Sequence, residues 1–339
     1  MRFFTIGVAI LGLLLGTVIV GYYGFGAVGS ALLEIGWAGF FAVLCFHLGL
    51  IVLLGLAWHA VLPPPRATMP WVAVWSRMIR DSGSEILPLS QIGGIVMGAR
   101  AAIVAGMTAQ LSLASTVVDV TLETLAQLVY ALLGLGLLLW LHPNAAVAKP
   151  IAIGLGVGVI AIFAFIMLQR RGMGLIEKMA ERLAPRWVPA DAGYKARVMH
   201  LELHAIYQHM VGPQLGFLLH VAAWIANGIE AWMALRFMGA PLSIPEVLTI
   251  ESLLYALRSF AFFIPNAVGV QEGGYVMLGA LFGLPPEIAL ALSLLKRARD
   301  VTIGVPALIA WQVAEGGRLW RRGRPIQTAE QGDVAHHRR

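Results

Sequence analysis

The segment at 262–277, FFIPNAVGVQEGGYVM, constrains the fold most, because it places helix-breaking and charged residues inside a long apolar stretch. A backbone in contact with lipid must satisfy its own hydrogen bonds, so it is helical or closed into a barrel. Broken helices occur at membrane depth only where they are buried in protein or line a wet cavity. The segment therefore predicts a helix break that offers unpaired amide and carbonyl groups to a ligand in such a cavity.

A weaker version of this segment occurs earlier in the chain. There Glu85 and Pro88 precede the run GGIVMGA at 93–99, which is similar to GGYVMLGA at 273–280. We take the two broken segments as the centres of two repeats.

The composition is that of an integral membrane protein. Hydrophobic residues make up 59% of the chain, charged residues make up 12%, and the mean hydropathy is +0.79. The net charge of +6 is not a nucleic-acid signal, because the basic residues concentrate at 170–197 and 318–339, as in cytoplasmic loops. The single cysteine, Cys45, excludes an internal disulfide. Neither a metal-binding pattern nor a Walker-type loop is present in the sequence, so no cofactor is expected.

Long apolar runs predict the membrane spans. They lie at about 3–28, 36–62, 115–141, 150–168, 213–236 and 287–314. The first run is longer than the roughly 7–15 residues of a signal-peptide core, so we interpret it as an uncleaved span. The stretch at 66–80 mixes arginines with Trp71 and Trp75, which is typical of an interfacial helix.

Charge bias predicts the topology. We place Arg66, Arg77 and Arg80, the 170–197 region and the tail in the cytoplasm. The segment at 85–113 is then re-entrant from the cytoplasmic side, and 246–283 is re-entrant from outside. The alternative for the second segment is two full spans, at 246–263 and 267–283.

The predicted fold is an all-α polytopic membrane protein with two inverted-topology repeats, each containing a re-entrant segment broken by Pro and Gly. It divides into a first transmembrane half at 1–168, a basic cytoplasmic linker with an interfacial helix at 169–212, a second transmembrane half at 213–316 and a disordered basic tail at 317–339. Both termini are expected in the cytoplasm of a bacterium, with the spans in its inner membrane.

Charged residues at membrane depth are the candidate functional groups, since inserting each one costs about 2.5–3.5 kcal/mol. Arg258 precedes the second break and Glu272 lies within it. A guanidinium can bind a phosphate through two hydrogen bonds, and the carboxylate can balance that charge or bind an amine or hydroxyl. A structural ion pair between the two is the alternative.

Further charged residues lie inside the predicted spans. In the last span, Lys296, Arg297, Arg299 and Asp300 are expected to face the bundle interior.

In the first half, Glu85, Arg100, Asp119 and Glu123 form the matching set. Asp119 and Glu123 are one helical turn apart and share a face. They could act as an acid–base pair or proton relay, but counter-ions for Arg100 and the second-half arginines are the favoured interpretation.

The histidines give weaker signals. His47, His59 and His220 are isolated on apolar spans, so we expect each to be packed or hydrogen-bonded to a neighbour. His200 and His204 are four residues apart, but the residue order of a zinc protease is missing.

These residues resemble those of the lysylphosphatidylglycerol synthase transmembrane, or flippase-like, family. The resemblance covers most of 1–320 and is carried by Arg258…Pro265…Gly269-x-Gln271-Glu272-Gly273-Gly274, by Arg297 and Arg299, and by Glu85…Pro88…Gly93-Gly94…Arg100 with Glu123. The sequence IPNAVGVQEGG resembles that of the hopanoid-biosynthesis-associated branch of the family. The resemblance implies lipid movement between leaflets by inverted repeats with re-entrant helices. Synthase members have a soluble aminoacyl-transferase domain after the membrane part, and this chain ends shortly after its last span, so lysyl transfer is not expected.

We therefore expect a translocator for a lipid with an anionic or polyhydroxylated head group, such as a phospholipid or a hopanoid, and not an enzyme. In this hypothesis arginines bind the head group, Glu272 orients it, and glycines let the backbone approach it. The predicted site comprises Arg258, Glu272, Arg297, Arg299, Asp300, Gly269, Gly273, Gly274, Asn266, Arg100, Glu85, Asp119 and Glu123.

Two other classes stay open at this point. One is an integral-membrane enzyme that uses Asp119 and Glu123, or Glu272, as acid and base on a lipid. The other is an accessory scaffold of a lipid-synthesis complex that acts through the linker at 169–212. The expected partners are a membrane lipid, lipid-biosynthesis proteins and further copies of the chain, and no nucleic acid is expected.

Overall fold

The computed structural model describes residues 25–64, 68–86, 90–143, 149, 152–160, 163, 192–209, 211–261, 264 and 267–322. Regular structure in these ranges is helical throughout, with no strand among them. The helices are α1 (Phe25–Glu34), α2 (Gly36–Val61), α3 (Pro70–Ile86), α4 (Ser90–Val104), α5 (Ala109–Leu141), α6 (Ala192–Gln208), α7 (Val211–Phe237), α8 (Ile244–Phe260), α9 (Val270–Ala280) and α10 (Pro286–Arg322).

Three of these helices, α2, α5 and α7, are long and apolar enough to cross a membrane. They contain 26, 33 and 27 residues, or roughly 39, 50 and 40 Å, which exceeds the ~30 Å of a hydrocarbon core. They match the spans predicted at 36–62, 115–141 and 213–236. The chain is therefore an all-α membrane protein, as predicted.

Several sequence predictions fall outside the described residues. These are the span at 3–28, apart from its last residues, much of 150–168, most of the linker at 169–212 and the tail beyond 322. The described end of the linker is α6, which packs on α5 through the buried Leu203 and Ile206. The predicted span at 287–314 is part of the single helix α10.

The first broken segment differs from the prediction. It is a helical hairpin of α3 and α4, which pack side by side and are separated by residues 87–89. The two helices span 70–104, whereas the re-entrant segment was predicted at 85–113, and its re-entrant path through the membrane stays a prediction. The interfacial helix predicted at 66–80 overlaps α3, whose arginines are buried and do not lie on a surface. Arg77 and Arg80 of α3 are only 4% and 5% exposed. A helix with one polar face looks the same in sequence whether that face meets water or the charged interior of a bundle.

Because Arg77 and Arg80 are buried in a helix, they do not count as basic residues of a cytoplasmic loop and give no information about the topology. The orientation of the chain in the membrane, and with it the inversion of the repeats, stays a prediction. It rests on Arg66, on the basic region at 170–197 and on the tail.

Two glycines of α4 allow the close packing against α3. A Cβ on Gly94 would lie 2.7 Å from the amide nitrogen of Ser84, and one on Gly98 would lie 2.7 Å from Cβ of Arg80. Small residues four apart are a common basis of helix packing in membranes. The glycines thus allow α4 to pack closely against the part of α3 that carries the buried arginines.

We expect Gly94→Ala to lower the free energy of unfolding by about 1–3 kcal/mol, because the added methyl group forces the two helices apart. Gly136→Ala on α5 is the matched control, since no atom lies within 4 Å of its Cβ position. Denaturant unfolding of the purified variants in detergent measures the difference. Equal stability of the two variants would contradict this packing.

The second broken segment consists of α8 and α9. At the start of α8, Glu246 accepts hydrogen bonds from the Ser243 amide and hydroxyl at 2.7 and 2.8 Å. Gly269 precedes α9 with φ +83°, a conformation that favours glycine. Because α9 has 11 residues, or about 17 Å, it is too short to cross the hydrocarbon core. Its length favours a re-entrant segment over two full spans.

Each of the two broken segments packs against a long helix of the other half of the chain. The first hairpin packs through α3 on α10, and the second packs through α8 on α5, while α2 and α7 pack against each other. The first helix of each broken segment therefore lies against a long helix of the other half. This packing brings the end of α3, at Glu85, and the end of α8, at Arg258, to one interior region.

Candidate functional site

A cavity of about 380 Å³ lies between the long helices and the two hairpins. Its wall carries an unusual number of charged side chains for the interior of a membrane protein. They are Arg77, Arg80, Asp81, Glu85, Glu123, Arg258, Lys296, Arg299 and Asp300. Charged groups at membrane depth are costly unless they pair or serve a ligand pathway, so this cavity is the candidate functional site.

One side of the cavity is built by α3 and α5. Nη2 of Arg77 donates to Oε1 of Glu123 at 2.6 Å, and its Nε donates to Asp81 at 2.8 Å. Arg80 donates to Asp119 at 2.8 Å and also bonds Glu123. Asp119 and Glu123 are therefore counter-ions, as the sequence favoured, but their partners are the arginines of α3.

The opposite side is built by α10, α7 and α8. Nε and Nη2 of Arg299 donate to Asp300 at 2.9 and 2.7 Å, while its Nη1 bonds Glu230. Lys296 donates to the buried Glu251 at 2.6 Å. These contacts confirm that the charged stretch of the last span faces the bundle interior.

Arg258 and Glu85 join the two broken segments. Glu85 lies at the end of α3 and Arg258 in the last turn of α8, and Nη2 of Arg258 lies 3.1 and 3.2 Å from the two oxygens of Glu85. Its guanidinium also lies 5.3 Å from the centre of the Tyr255 ring. Among the described residues, the hydrogen bonds of Arg258 all come from Nη2, so no described side chain occupies Nε or Nη1, and these donors are the candidates to bind a ligand in the cavity.

Glu272 is placed differently from the prediction. It does not pair with Arg258 but accepts from Nε of Arg297 at 2.8 Å, from Ser293 at 3.0 Å and from the amide of Gly269 at 2.7 Å. This carboxylate caps the start of α9, because the third residue of a helix can fold back onto the amides left unpaired at the N-terminus. Neither Glu272 nor Arg297 lines the cavity.

The predicted glycines also shape the backbone and do not line the cavity. A Cβ on Gly274 would lie 2.5 Å from the Leu254 side chain, so this residue lets α9 pack against α8. The amide of Gly273 donates to the carbonyl of Gly269 at 3.0 Å within the first turn of α9. Asn266 lies outside the described residues.

Arg100 is remote from the cavity wall. Its side chain is partly exposed, and its Nε donates to Glu315 of α10 at 3.1 Å. The structure therefore separates Arg100 from Asp119 and Glu123, which the sequence had offered as its counter-ions.

Sequence reasoning missed or undervalued several residues of the cavity wall. They are Arg77, Arg80, Asp81, His47, Gln127, Asn227, Tyr255 and Lys296. One signal was available, since the spacing of Arg77, Arg80, Asp81 and Ser84 places four polar groups on one helical face. Such a face matches the paired carboxylates one turn apart on α5.

Comparison with known proteins shows which family the chain belongs to. The family model described as "Lysylphosphatidylglycerol synthase TM region" matches residues 5–307. The chain belongs to this family. The match includes every residue of the cavity wall and confirms the resemblance seen in the sequence. No curated protein and no solved structure matches the chain. As a member of this family, the chain is a membrane protein involved in lipid handling, and its assignment to the hopanoid branch stays a prediction.

Proposed function

We propose that the protein translocates a lipid with an anionic or polyhydroxylated head group, such as a phospholipid or a hopanoid, between membrane leaflets. Arg258 carries the proposal, because it lines the cavity, contacts Glu85 at the end of α3, and has donors that no described residue occupies. The membership in a lipid-handling family supports the same class of substrate. The proposed location is the inner membrane of a bacterium, with both termini in the cytoplasm.

The cavity suits a head group better than a whole lipid. Its volume of about 380 Å³ falls in the range of about 300–1,000 Å³ that is usual for small-ligand sites. The helices around it expose apolar side chains on their outer faces, among them Leu218 and Trp140. The head group can thus occupy the charged interior while the acyl chains stay in lipid.

The arginines provide the chemistry for a phosphate head group. Guanidinium binds phosphate through paired, charge-assisted hydrogen bonds, and Arg258 and Arg299 line the same cavity. Both arginines now bind carboxylates, and a phosphate can take the place of these carboxylates because it is also an anion with oxygen acceptors. We assign Arg258 and Arg299 to head-group binding, and we assign Glu272 and Arg297 to holding the start of α9.

An enzyme that uses Asp119 and Glu123 as acid and base is the less favoured proposal. Both carboxylates accept charge-assisted hydrogen bonds from arginines of α3, so each already has a cationic partner. This arrangement suits a counter-ion better than a group that exchanges protons with a substrate.

A reconstituted assay tests the proposal. The protein is inserted into liposomes that contain a trace of phosphatidylglycerol with a fluorophore on its acyl chain, and a membrane-impermeant reductant then bleaches the outer leaflet. We expect the protein to make the inner-leaflet fluorophore accessible as well, because it moves the head group across. Bleaching that stops at the outer leaflet, as in protein-free liposomes, would contradict the proposal for this lipid.

A further inference from the structure

Two similar units link a histidine through a carboxylate to an arginine of the cavity. In one, Nδ1 of His47 lies 2.9 Å from Glu230, whose other oxygen bonds Arg299. In the other, Nε2 of His220 lies 2.9 Å from Asp119, which also bonds Arg80. The proposed function makes no use of either histidine.

The two histidines differ in access to the cavity. The His47 side chain lines the cavity and is 19% exposed. With Nδ1 on Glu230, its Nε2 is the nitrogen that can take a proton from cavity water. The His220 side chain is 0% exposed, and its buried Nδ1 has no hydrogen-bond partner among the described residues. A proton on that nitrogen would find no acceptor there, so His220 is not accessible from the cavity in the way His47 is.

The charges around the cavity do not balance among the described residues. Five fixed cations line it: Arg77, Arg80, Arg258, Lys296 and Arg299. Seven carboxylates line it or pair with those cations: Asp81, Glu85, Asp119, Glu123, Glu230, Glu251 and Asp300. An anionic head group would add to this excess of negative charge, and uncompensated charge is costly in a low-dielectric interior. Uptake of a proton would offset it.

We propose that His47 is a proton-binding site and that the cavity takes up a proton there together with an anionic lipid head group. This inference rests on the proposed function and adds the coupling ion to it. The proton moves from cavity water to Nε2 of His47, and the resulting imidazolium becomes a counter-ion of Glu230. Arg299 is then released from part of its pairing with Glu230 and is available to the phosphate.

The charged groups around His47 come from every element packed against α2. Glu230 of α7 contacts His47 directly. The other charged or titratable groups of these elements that line the cavity or pair with its wall are Arg77, Arg80, Asp81 and Glu85 of α3, Asp119 and Glu123 of α5, His220 of α7, and Lys296, Arg299 and Asp300 of α10. Histidine is the residue type that ordinarily changes charge between about pH 5 and 8. His47 lines the cavity, whereas the side chain of His220 is fully buried. Head-group binding should therefore strengthen as the pH falls through this range, because the proton is bound with the ligand.

Binding of short-chain phosphatidylglycerol to the purified protein in detergent tests this inference, with the pH varied between about 5 and 8. We expect the affinity of the wild type to rise as the pH falls, by at most about tenfold per pH unit for one linked proton. His47→Gln should give a flat profile near the wild-type affinity at high pH. His220→Gln is the matched control and should keep the wild-type slope.

Each other outcome is informative. Binding that does not depend on pH in the wild type, or an unchanged slope in His47→Gln, would overturn the proton site and leave the proposed function intact. No binding at any pH would contradict both. If His47→Gln does not fold, proton uptake by the wild type is followed with a pH dye in weak buffer. Lipid binding without proton uptake would then overturn the inference.

Discussion

Arg258→Ala should reduce lipid translocation in liposomes by about 100-fold or more, with the protein still folded and inserted. The change removes the guanidinium donors that face the cavity. Hydrogen bonds to charged groups contribute about 1.5–3 kcal/mol each, so two lost contacts to a phosphate amount to at least about 3 kcal/mol. The measurement is the bleaching assay, with size-exclusion chromatography to verify that the variant is folded.

Arg100→Ala is the matched control for this prediction. Arg100 also pairs with a glutamate on another helix, but it lies outside the cavity wall. We expect its translocation rate to stay within about twofold of the wild type, since a partly exposed ion pair contributes about 0–1 kcal/mol. Unchanged translocation by Arg258→Ala would remove Arg258 from the site.

Asp119→Ala should cost about 3–5 kcal/mol of stability, because it removes a fully buried carboxylate that pairs with both Arg80 and His220, and Glu123 is then the one described carboxylate that still bonds Arg80. Asp119 is 0% exposed and lies between α3, α5 and α7. Denaturant unfolding in detergent gives the free-energy difference.

The control for this prediction is Asp81→Ala. Asp81 also pairs with Arg77, but its side chain is 28% exposed, and Arg77 keeps Glu123 as a partner. We expect a loss of about 1 kcal/mol or less. Equal losses for the two variants would show that Asp119 does not hold the interior charges together.

The second broken segment was predictable from sequence because its signals are local. Proline, glycine and glutamate in an apolar run mark a helix break at any point of a membrane chain. In the structure, α8 ends before this break and α9 begins after it, as the prediction for 246–283 requires. The re-entrant topology is a further step, since it depends on the membrane and not on local sequence.

The first broken segment was harder to predict, because its decisive feature is a tertiary contact. The polar face of α3 is amphipathic whether it lies on a membrane surface or inside the bundle. What buries it is the carboxylate pair on α5, about 40 residues later in the chain. Sequence identified the carboxylate pair on α5 but interpreted the arginines of α3 as membrane-surface residues, and so could not show that the two meet.

The pairing of the charges was unpredictable for the same reason. Arg258 and Glu272 lie close in sequence, yet each pairs with a residue of another helix, Glu85 and Arg297. Helix-end geometry turns Glu272 back onto the amide of Gly269. Whether a charged residue belongs to the site therefore depends on whether it lies on the face of its helix that is turned toward the cavity.

Leaflet-resolved lipid analysis tests most directly whether the protein moves a lipid or modifies one. Cells that lack the gene are compared with cells complemented by the wild type or by Arg258→Ala. We expect a full set of lipids without the protein, with one lipid held in the wrong leaflet, and rescue by the wild type but not by Arg258→Ala. A missing lipid with its precursor accumulating would contradict translocation and indicate an enzyme.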